Sequence, residues 1–572
     1  MRRALVVLLA VWAGTAAAQH VRGPMTPADA FALHEVGEIR ISPDASTVVF
    51  SVTDTNLEAN RTSTRVMRVA VTGGMPAELE GVPDGAEALR WSPDSRRLAF
   101  FATRDGRRAV WTYEVASGQL TRVCDYDRSH ASVLRPGNWL SWSPDGSRLA
   151  FAGTLDAGRS DNRRTHIYLV PAIGGTPAPL TTGDSDDHSI DWGGDGSEIV
   201  FISNRRKDAA IPRNDDIFAV GVGTGRVRRL TDTPGAEAEP RVSPDSQWIA
   251  YVGEDAHIFA MPAGGASAKV NSGGARELNH ALDRRSSAPE WAPDGRAILY
   301  TAFDRAKVVL YRVSLQGSAS VALIDRKAQV GPFSMARDGL IAVGMTDPLT
   351  PREVYRFRPD ADLQPLTSLN SATVGHWQLV APEPVPFRTA VGTDVVAWYY
   401  PAVGPARPAA GSIPLIVSIH SGPHGVHGYR FNAAVQVQAA HGYATLVVHP
   451  RKGSGDGDSE DVMASVEQFL KMKPEIDVDR LGVTGARESG IMNELVTQPN
   501  RFKAAVSMST VSNLPPLEHV SDVTTPTLIL HESEDPVRDL DRMERTLAWF
   551  DRFLRHQGSG PGDQGRPRDQ AR

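Results

Sequence analysis

One motif recurs seven times between residues 44 and 338 of this chain. It appears as "RISPDAS", "RWSPDSR", "SWSPDGS", "DWGGDGS", "RVSPDSQ", "EWAPDGR" and "MARDGL". The aspartates are Asp44, Asp94, Asp145, Asp195, Asp245, Asp294 and Asp338, spaced by 50, 51, 50, 50, 49 and 44 residues. The chemistry is that of a tight turn. Proline presets φ, the aspartate side chain bonds its own backbone two residues on, and a small residue follows. An apolar run comes after each turn: "TVVFSV", "RLAFFA", "RLAFAG", "EIVFIS", "WIAYVG", "AILYTA" and "LIAVGM". A period near fifty residues, with several short strands per unit, marks a repeat architecture in which each unit is one blade. Seven units predict a seven-bladed β-propeller, with blades between about residues 30 and 360 and a domain running from 19 to 370.

Trp91, Trp142, Trp192 and Trp291 precede four of these turns. They are read as packing between blades rather than as a ligand-stacking series. "GDSDDHSIDWGGDG" concentrates Asp184, Asp186, Asp187 and His188. Their spacing matches no metal-ligand pattern, and a solvated loop is expected there.

After residue 370 the pattern changes. "PLIVSIHSGPHG", "GYATLVVHPRKG", "DRLGVTG" and "PTLILHESEDP" are strands running into turns, and "SEDVMASVEQFLKM" has a helical pattern between the second and third. Strands alternating with helices imply a parallel α/β sheet. A last helix, "DRMERTLAWFDRFLRH", carries Met543, Leu547, Phe550 and Leu554 on one face. Residues 557–572 are polar and rich in Gly and Pro, the composition of a disordered tail. Asp456, Asp458, Glu460 and Glu467 have calcium-loop spacing, but Asp461 replaces the glycine such a loop needs and no helix precedes it. No cofactor and no metal are expected.

Composition bounds the partners. The formal net charge is −6 over 572 residues, which offers no basic surface for nucleic acid. "MRRALVVLLAVWAGTAAAQH" has the charged, apolar and small-residue order of a secretory signal peptide. Ala16 and Ala18 occupy the cleavage positions, so residues 1–18 are expected to be removed and the mature chain to start at Gln19. The apolar run is shorter than the roughly 20 residues that a membrane span needs, so no span is expected after cleavage. The protein is thus expected to be exported, to the periplasm or the medium. Cys124 is the only cysteine, which rules out an intrachain disulfide.

The stretches "IVSIHSGPHG", "FNAAVQVQAAHGYATLVVHPR", "VDRLGVTG", "LVTQPNRFKAAVSMSTVSN", "TTPTLILHESED" and "DRMERTLAWFDRFL", behind a propeller, resemble the prolyl oligopeptidase family of serine peptidases, in its acylaminoacyl-peptidase-like bacterial branch. The resemblance implies a β + α/β architecture: an N-terminal seven-bladed, TolB-like β-propeller followed by a shortened α/β-hydrolase domain, residues 371–556. It also implies cleavage of short peptides, with the propeller limiting access to the site.

The same resemblance shows where the pattern breaks. The family's nucleophile elbow, G-G-S-Y-G-G-Y-M, lies over Gly485 to Met492, so Arg487 occupies the serine's place. A guanidinium stays protonated and is no nucleophile. Ser489, two residues on, is the alternative nucleophile, with bulky Arg487 and Ile491 where an elbow needs small residues. Asp535 matches the catalytic aspartate. The family's histidine, which precedes the C-terminal helix, has no counterpart, and the later His556 lies beyond that helix. His420 stands at one oxyanion position and the backbone N–H of Glu488 at the other, where a glutamate side chain opposes a developing oxyanion. Three short connections between family-like blocks imply internal deletions that expose sheet edge. The expected function is a catalytically inactive relative that binds short peptides or an envelope protein through its propeller. The alternative is an active serine-type peptidase with a rearranged site.

Overall fold

The computed structural model describes residues 22–125, 139–154, 164–205, 215–264, 274–282, 284–317, 319–388, 394–404, 409–419, 428–448, 458–486, 489–497, 501–508, 525–531 and 535–555. Among them, seven antiparallel blades of four strands follow one another in chain order. Blades six and seven also touch through one parallel bridge, Val308 to Gln329.

The seven aspartate turns join the innermost strand of each blade to the second. Every one of the seven carboxylates accepts the N–H two residues on, at 2.9–3.2 Å. Four also accept the hydroxyl of the preceding serine, at 2.5–2.6 Å. At Asp145, bonds from the Ser143 hydroxyl and from Ser147 hold the carboxyl down at about 2. The residue after each aspartate has φ between 58° and 83°: Ala45, Ser95, Gly146, Gly196, Ser246, Gly295 and Gly339. The second strand begins three residues after each aspartate, so the turn sets the register of the blade.

That second strand is the buried heart of each blade. Phe50, Phe100, Phe151, Phe201, Tyr251 and Tyr300 sit at its equivalent position and are buried. Four of them stack on an aromatic ring of the third strand, with centroids 5.4–5.9 Å apart, a cross-strand pairing that adds to apolar burial. The tryptophans join blades, as expected. The indole N–H groups of Trp91, Trp142 and Trp291 donate to the carbonyls of Arg40, Arg90 and Arg241, one blade earlier, at 2.9–3.1 Å. Among the described residues, no strand is exchanged between the first and last blades. The ring closes by apolar packing of Ile39, Val48 and Phe50 with Ala342, Val354 and Leu366, and by hydrogen bonds from Arg352 to the Val36 carbonyl (3.0 Å) and from Arg356 to that of Val71 (2.8 Å).

The acidic stretch at 184–188 corrects the sequence reading. Asp187 and His188 lie on the strand Asp187–Trp192 and are buried, as is Asp186, so these three are blade interior rather than a solvated loop, while Asp184 is exposed ahead of the strand, as expected. Asp187 is held by Arg205 at 2.5 Å and by the Ser203 hydroxyl at 2.7 Å, and Asp186 by Arg164 at 3.1 Å. The arginines come from distant positions, which local polarity does not reveal.

The second domain is one seven-stranded sheet. Its strands are β1 (Glu383–Arg388), β2 (Asp394–Tyr400), β3 (Ile413–Ile419), β4 (Ala444–Val448), β5 (Ile476–Ala486), β6 (Ala504–Met508) and β7 (Thr527–Leu530), in the order β1-β2-β4-β3-β5-β6-β7. The pairs from β4 to β7 are parallel. Helices α1 (Ala433–Ala440), α2 (Asp458–Met472), α3 (Ser489–Thr497) and α4 (Pro536–Leu554) accompany it. The residues with calcium-loop spacing from Asp458 onward are in α2, and a helix cannot wrap an ion as that loop does. Leu547, Phe550 and Leu554 are buried on α4, with Met543 partly so. Gly482 of β5 lets α4 approach: a Cβ there would lie 2.7 Å from Phe550 Cε1. β7, four residues long, is the sheet's open edge, and Ile529 on it is 45% exposed.

Among the described residues, the domains dock through apolar packing of Met25 and Leu33 with Val437 and Leu547 and of Ala306 with Trp398 and Tyr400, and three hydrogen-bonded contacts add to it. Phe431 N–H donates to Thr346 Oγ1 at 3.3 Å, and buried Gln436 donates to the Pro348 carbonyl at 3.1 Å. The third is a reciprocal clasp at the tip of the first blade's hairpin. Asn60 Nδ2 donates to Asp535 Oδ2 at 2.9 Å, and Val537 N–H donates to Asn60 Oδ1 at 3.0 Å.

These interactions have measurable consequences. Gly339→Ala should destabilise the propeller by about 1–2 kcal/mol, because φ is 83° and no atom within 4 Å would clash with the new methyl. Urea unfolding measures it, and an unchanged midpoint would discount the left-handed turn. In the clasp, Asn60→Ala and Asp535→Ala should each lower the melting temperature, and the double variant should lose less than the sum. Additive losses would show that the two side chains are uncoupled. Burial pushes Glu237 up to about 7 from 4.5. The neutral form therefore favours folding below about pH 4.5, and that advantage fades as pH rises through 7. Glu237→Gln should flatten this decline in a series of melting curves against pH.

Candidate functional site

The strands that lead to the expected site residues end along one edge of the sheet. In parallel α/β sheets, ligand sites form at the carboxyl ends of the strands. β3 and β5 are neighbours there, with Ile419 opposite Gly485. His420 follows β3 directly, and Arg487 and Glu488 fill the two positions between the end of β5 and the start of α3. The three residues themselves lie outside the described residues. The structure gives the point where each leaves the sheet, and these points are adjacent.

Ser489 is the first residue of α3. The segment passes from strand to helix within two residues because its apolar positions switch period there. Leu481 and Val483 are buried on β5, and Ile491, Met492, Leu495 and Val496 turn one face of α3 onto the sheet. This is the strand–turn–helix unit in which an elbow nucleophile is presented. Here Arg487 and Glu488 are the two residues of the sequence between the strand and the helix.

Asp535 comes four residues beyond His531, the last described residue of the segment that leaves β7. It caps α4: its backbone is extended (φ −89°, ψ 116°), Oδ1 accepts the Arg538 N–H at 3.0 Å, and Pro536 opens the helix. Oδ2 accepts from Asn60 of the propeller. The Arg538 N–H and then the Asn60 amide hold the carboxyl below its ordinary value, so it is ionised at neutral pH. The Asp535 carboxylate is thus a helix cap and a domain clasp. Asn60 is the residue that sequence reasoning missed. Its signal is a left-handed turn residue, φ 47°, between the first blade's second and third strands, and such a residue shows its partner only in the folded chain.

Among the described residues, no group of three or more His, Cys, Asp or Glu side chains is placed to hold a metal ion. Cys124 is buried, and burial pushes its thiol up to about 12, which removes it as a nucleophile at neutral pH.

Comparison with known proteins agrees with this architecture. Residues 90–334 match the TolB beta propeller domain. The peptidase YuxL of Bacillus subtilis is 24% identical over 588 residues, covering 87% of this chain and 84% of its own. Dipeptidyl-peptidase 5 of Porphyromonas gingivalis is 21% identical, over 88% of this chain and 80% of its own. The acylaminoacyl peptidase of Pyrococcus horikoshii superposes with a TM-score of 0.75 at 17% identity, covering 94% of this chain and 98% of that one. A propeller in front of an α/β sheet, with peptidases similar to it over most of both lengths, makes this chain similar to peptidases whose structures have the prolyl oligopeptidase-like arrangement of propeller and hydrolase domain.

Proposed function

We propose that this protein is an exported peptidase-like protein that binds short peptides and does not hydrolyse them by a serine mechanism. The observation that carries the reading is the pair of residues between β5 and α3. Only Arg487 and Glu488 separate the strand from the helix, so the position that presents the nucleophile has no hydroxyl or thiol. Removing a triad serine or histidine costs on the order of 10⁶ in kcat, and losing both costs little more. What survives such a loss, roughly 10³ to 10⁴ over water, depends on an intact oxyanion hole. A glutamate beside that hole works against it. Asp535, committed to capping α4 and clasping Asn60, supports the same reading.

Export is proposed on the signal-like residues 1–18, and N-terminal sequencing of the mature protein from cells tests it. Gln19 is the expected first residue, and an intact Met1 would sink the idea.

The chemical test is hydrolysis of short N-blocked and free peptides by the purified full chain, alongside labelling by a fluorophosphonate probe. Neither turnover nor labelling is expected. Arg487→Ser should not restore activity, because a general base would still be missing. Turnover abolished by both Ser489→Ala and Asp535→Ala would overturn the proposal and establish a rearranged peptidase site.

A further inference from the structure

The tunnel along the propeller axis is lined by arginines. Arg40 and Arg241, from the innermost strands of blades one and five, face a cavity of about 450 Å³ together with Arg352 and Arg430. One carboxylate, Glu290, shares this lining. A second cavity of about 400 Å³ continues the tunnel, sharing Arg40, Arg241 and Glu290 and adding Arg90, Arg337 and Asp191. Glu38 offsets part of the charge, 3.6 Å from Arg40 and 3.7 Å from Arg90. The positive excess remains: burial and then the neighbouring Arg40 pull the Arg90 guanidinium down to about 9, still charged at neutral pH.

Arg352 is built into this position. Its strand, Thr350–Phe357, is the third of blade seven, so its side chain crosses the two inner strands to reach the tunnel. Two glycines clear the way. A Cβ on Gly344 would lie 3.1 Å from Arg352 Cδ, and one on Gly331 would lie 2.9 Å from its Nε. The Nε atoms of Arg352 and Arg241 are buried without a hydrogen-bond partner among the described residues. Buried guanidinium donors with too few carboxylates are stabilised by any oxyanion that joins them, and the planar fork suits a carboxylate.

The cavity faces the hydrolase domain. Arg430 lies ten residues after His420 in the sequence, and Gly428 beside it packs on blade six: a Cβ there would lie 2.6 Å from Ala306 Cβ. The geometry points to an oxyanion seat in the tunnel that takes the free carboxylate of a short peptide, either its C-terminus or an acidic side chain. This inference rests on the peptide-binding reading above and adds the group by which the peptide is held.

Calorimetry on the full chain tests it with three probes: N-acetyl-tetraalanine as the free acid, the same peptide as its C-terminal amide, and acetate. The free acid should bind at least about tenfold tighter than the amide. The gap should narrow as salt rises from about 50 to about 500 mM. Arg352→Met, which keeps the apolar stem, should abolish the gap, and Glu290→Gln should widen it. Should Arg352→Met not fold, Glu290→Gln carries the comparison alone. Equal binding of acid and amide would overturn the seat and leave peptide binding standing. Acetate binding that tightens in Glu290→Gln, with neither peptide bound, would keep the seat and overturn the peptide reading. Silence from all three probes would overturn both. A gap that neither substitution alters would overturn this placement of the seat.

Discussion

The hydrogen bond from a backbone N–H to the aspartate two residues before it underlies the whole first domain. It fixes a left-handed residue between the first and second strands of every blade, and the second strand begins three residues after the aspartate each time. Because strand side chains alternate with a period of two, that constant offset aims the same positions inward in each blade. The aromatic residue at the fourth position of the core strand is buried as a result. In three blades a tryptophan just before the turn reaches back one blade, where its indole closes on a carbonyl. A single local bond, repeated, therefore sets register, core and blade-to-blade contact together.

Ring geometry then creates the tunnel and its charge. Inner strands must present one face to the axis, and the arginines on that face are drawn together from blades far apart in sequence. Their mutual repulsion is tolerated because Glu38 accepts the Ala88 and Leu89 N–H groups while sitting near Arg40 and Arg90. The tunnel is left more positive than its own carboxylates can neutralise, although the chain as a whole carries a net charge of −6.

The second domain is tied to the propeller by specific side-chain contacts. The first blade's hairpin supplies Asn60, which takes one oxygen of Asp535 while the first turn of α4 takes the other. Gln436, buried in α1, ties the linker at Val380 and the last blade at Pro348 to the sheet. These bonds fix the domain interface at the same edge of the sheet from which β3 and β5 deliver the positions of His420, Arg487 and Glu488.

The sequence by itself determined the seven blades, their spacing and the buried face of α4 through Leu547, Phe550 and Leu554, because turn chemistry and apolar period act over a few residues. It also determined the strand before Arg487 and the helix after Glu488, since the switch of period between Val483 and Ile491 is local. Tertiary structure alone decided that Asp186, Asp187 and His188 are interior, because arginines 18 to 22 residues away neutralise the aspartates. It alone joined Asn60 to Asp535 across 475 residues, and brought Arg40, Arg241, Arg352 and Arg430 around one cavity. Contacts of that kind depend on ring closure and domain docking, and no local pattern of residues encodes which distant side chains will meet.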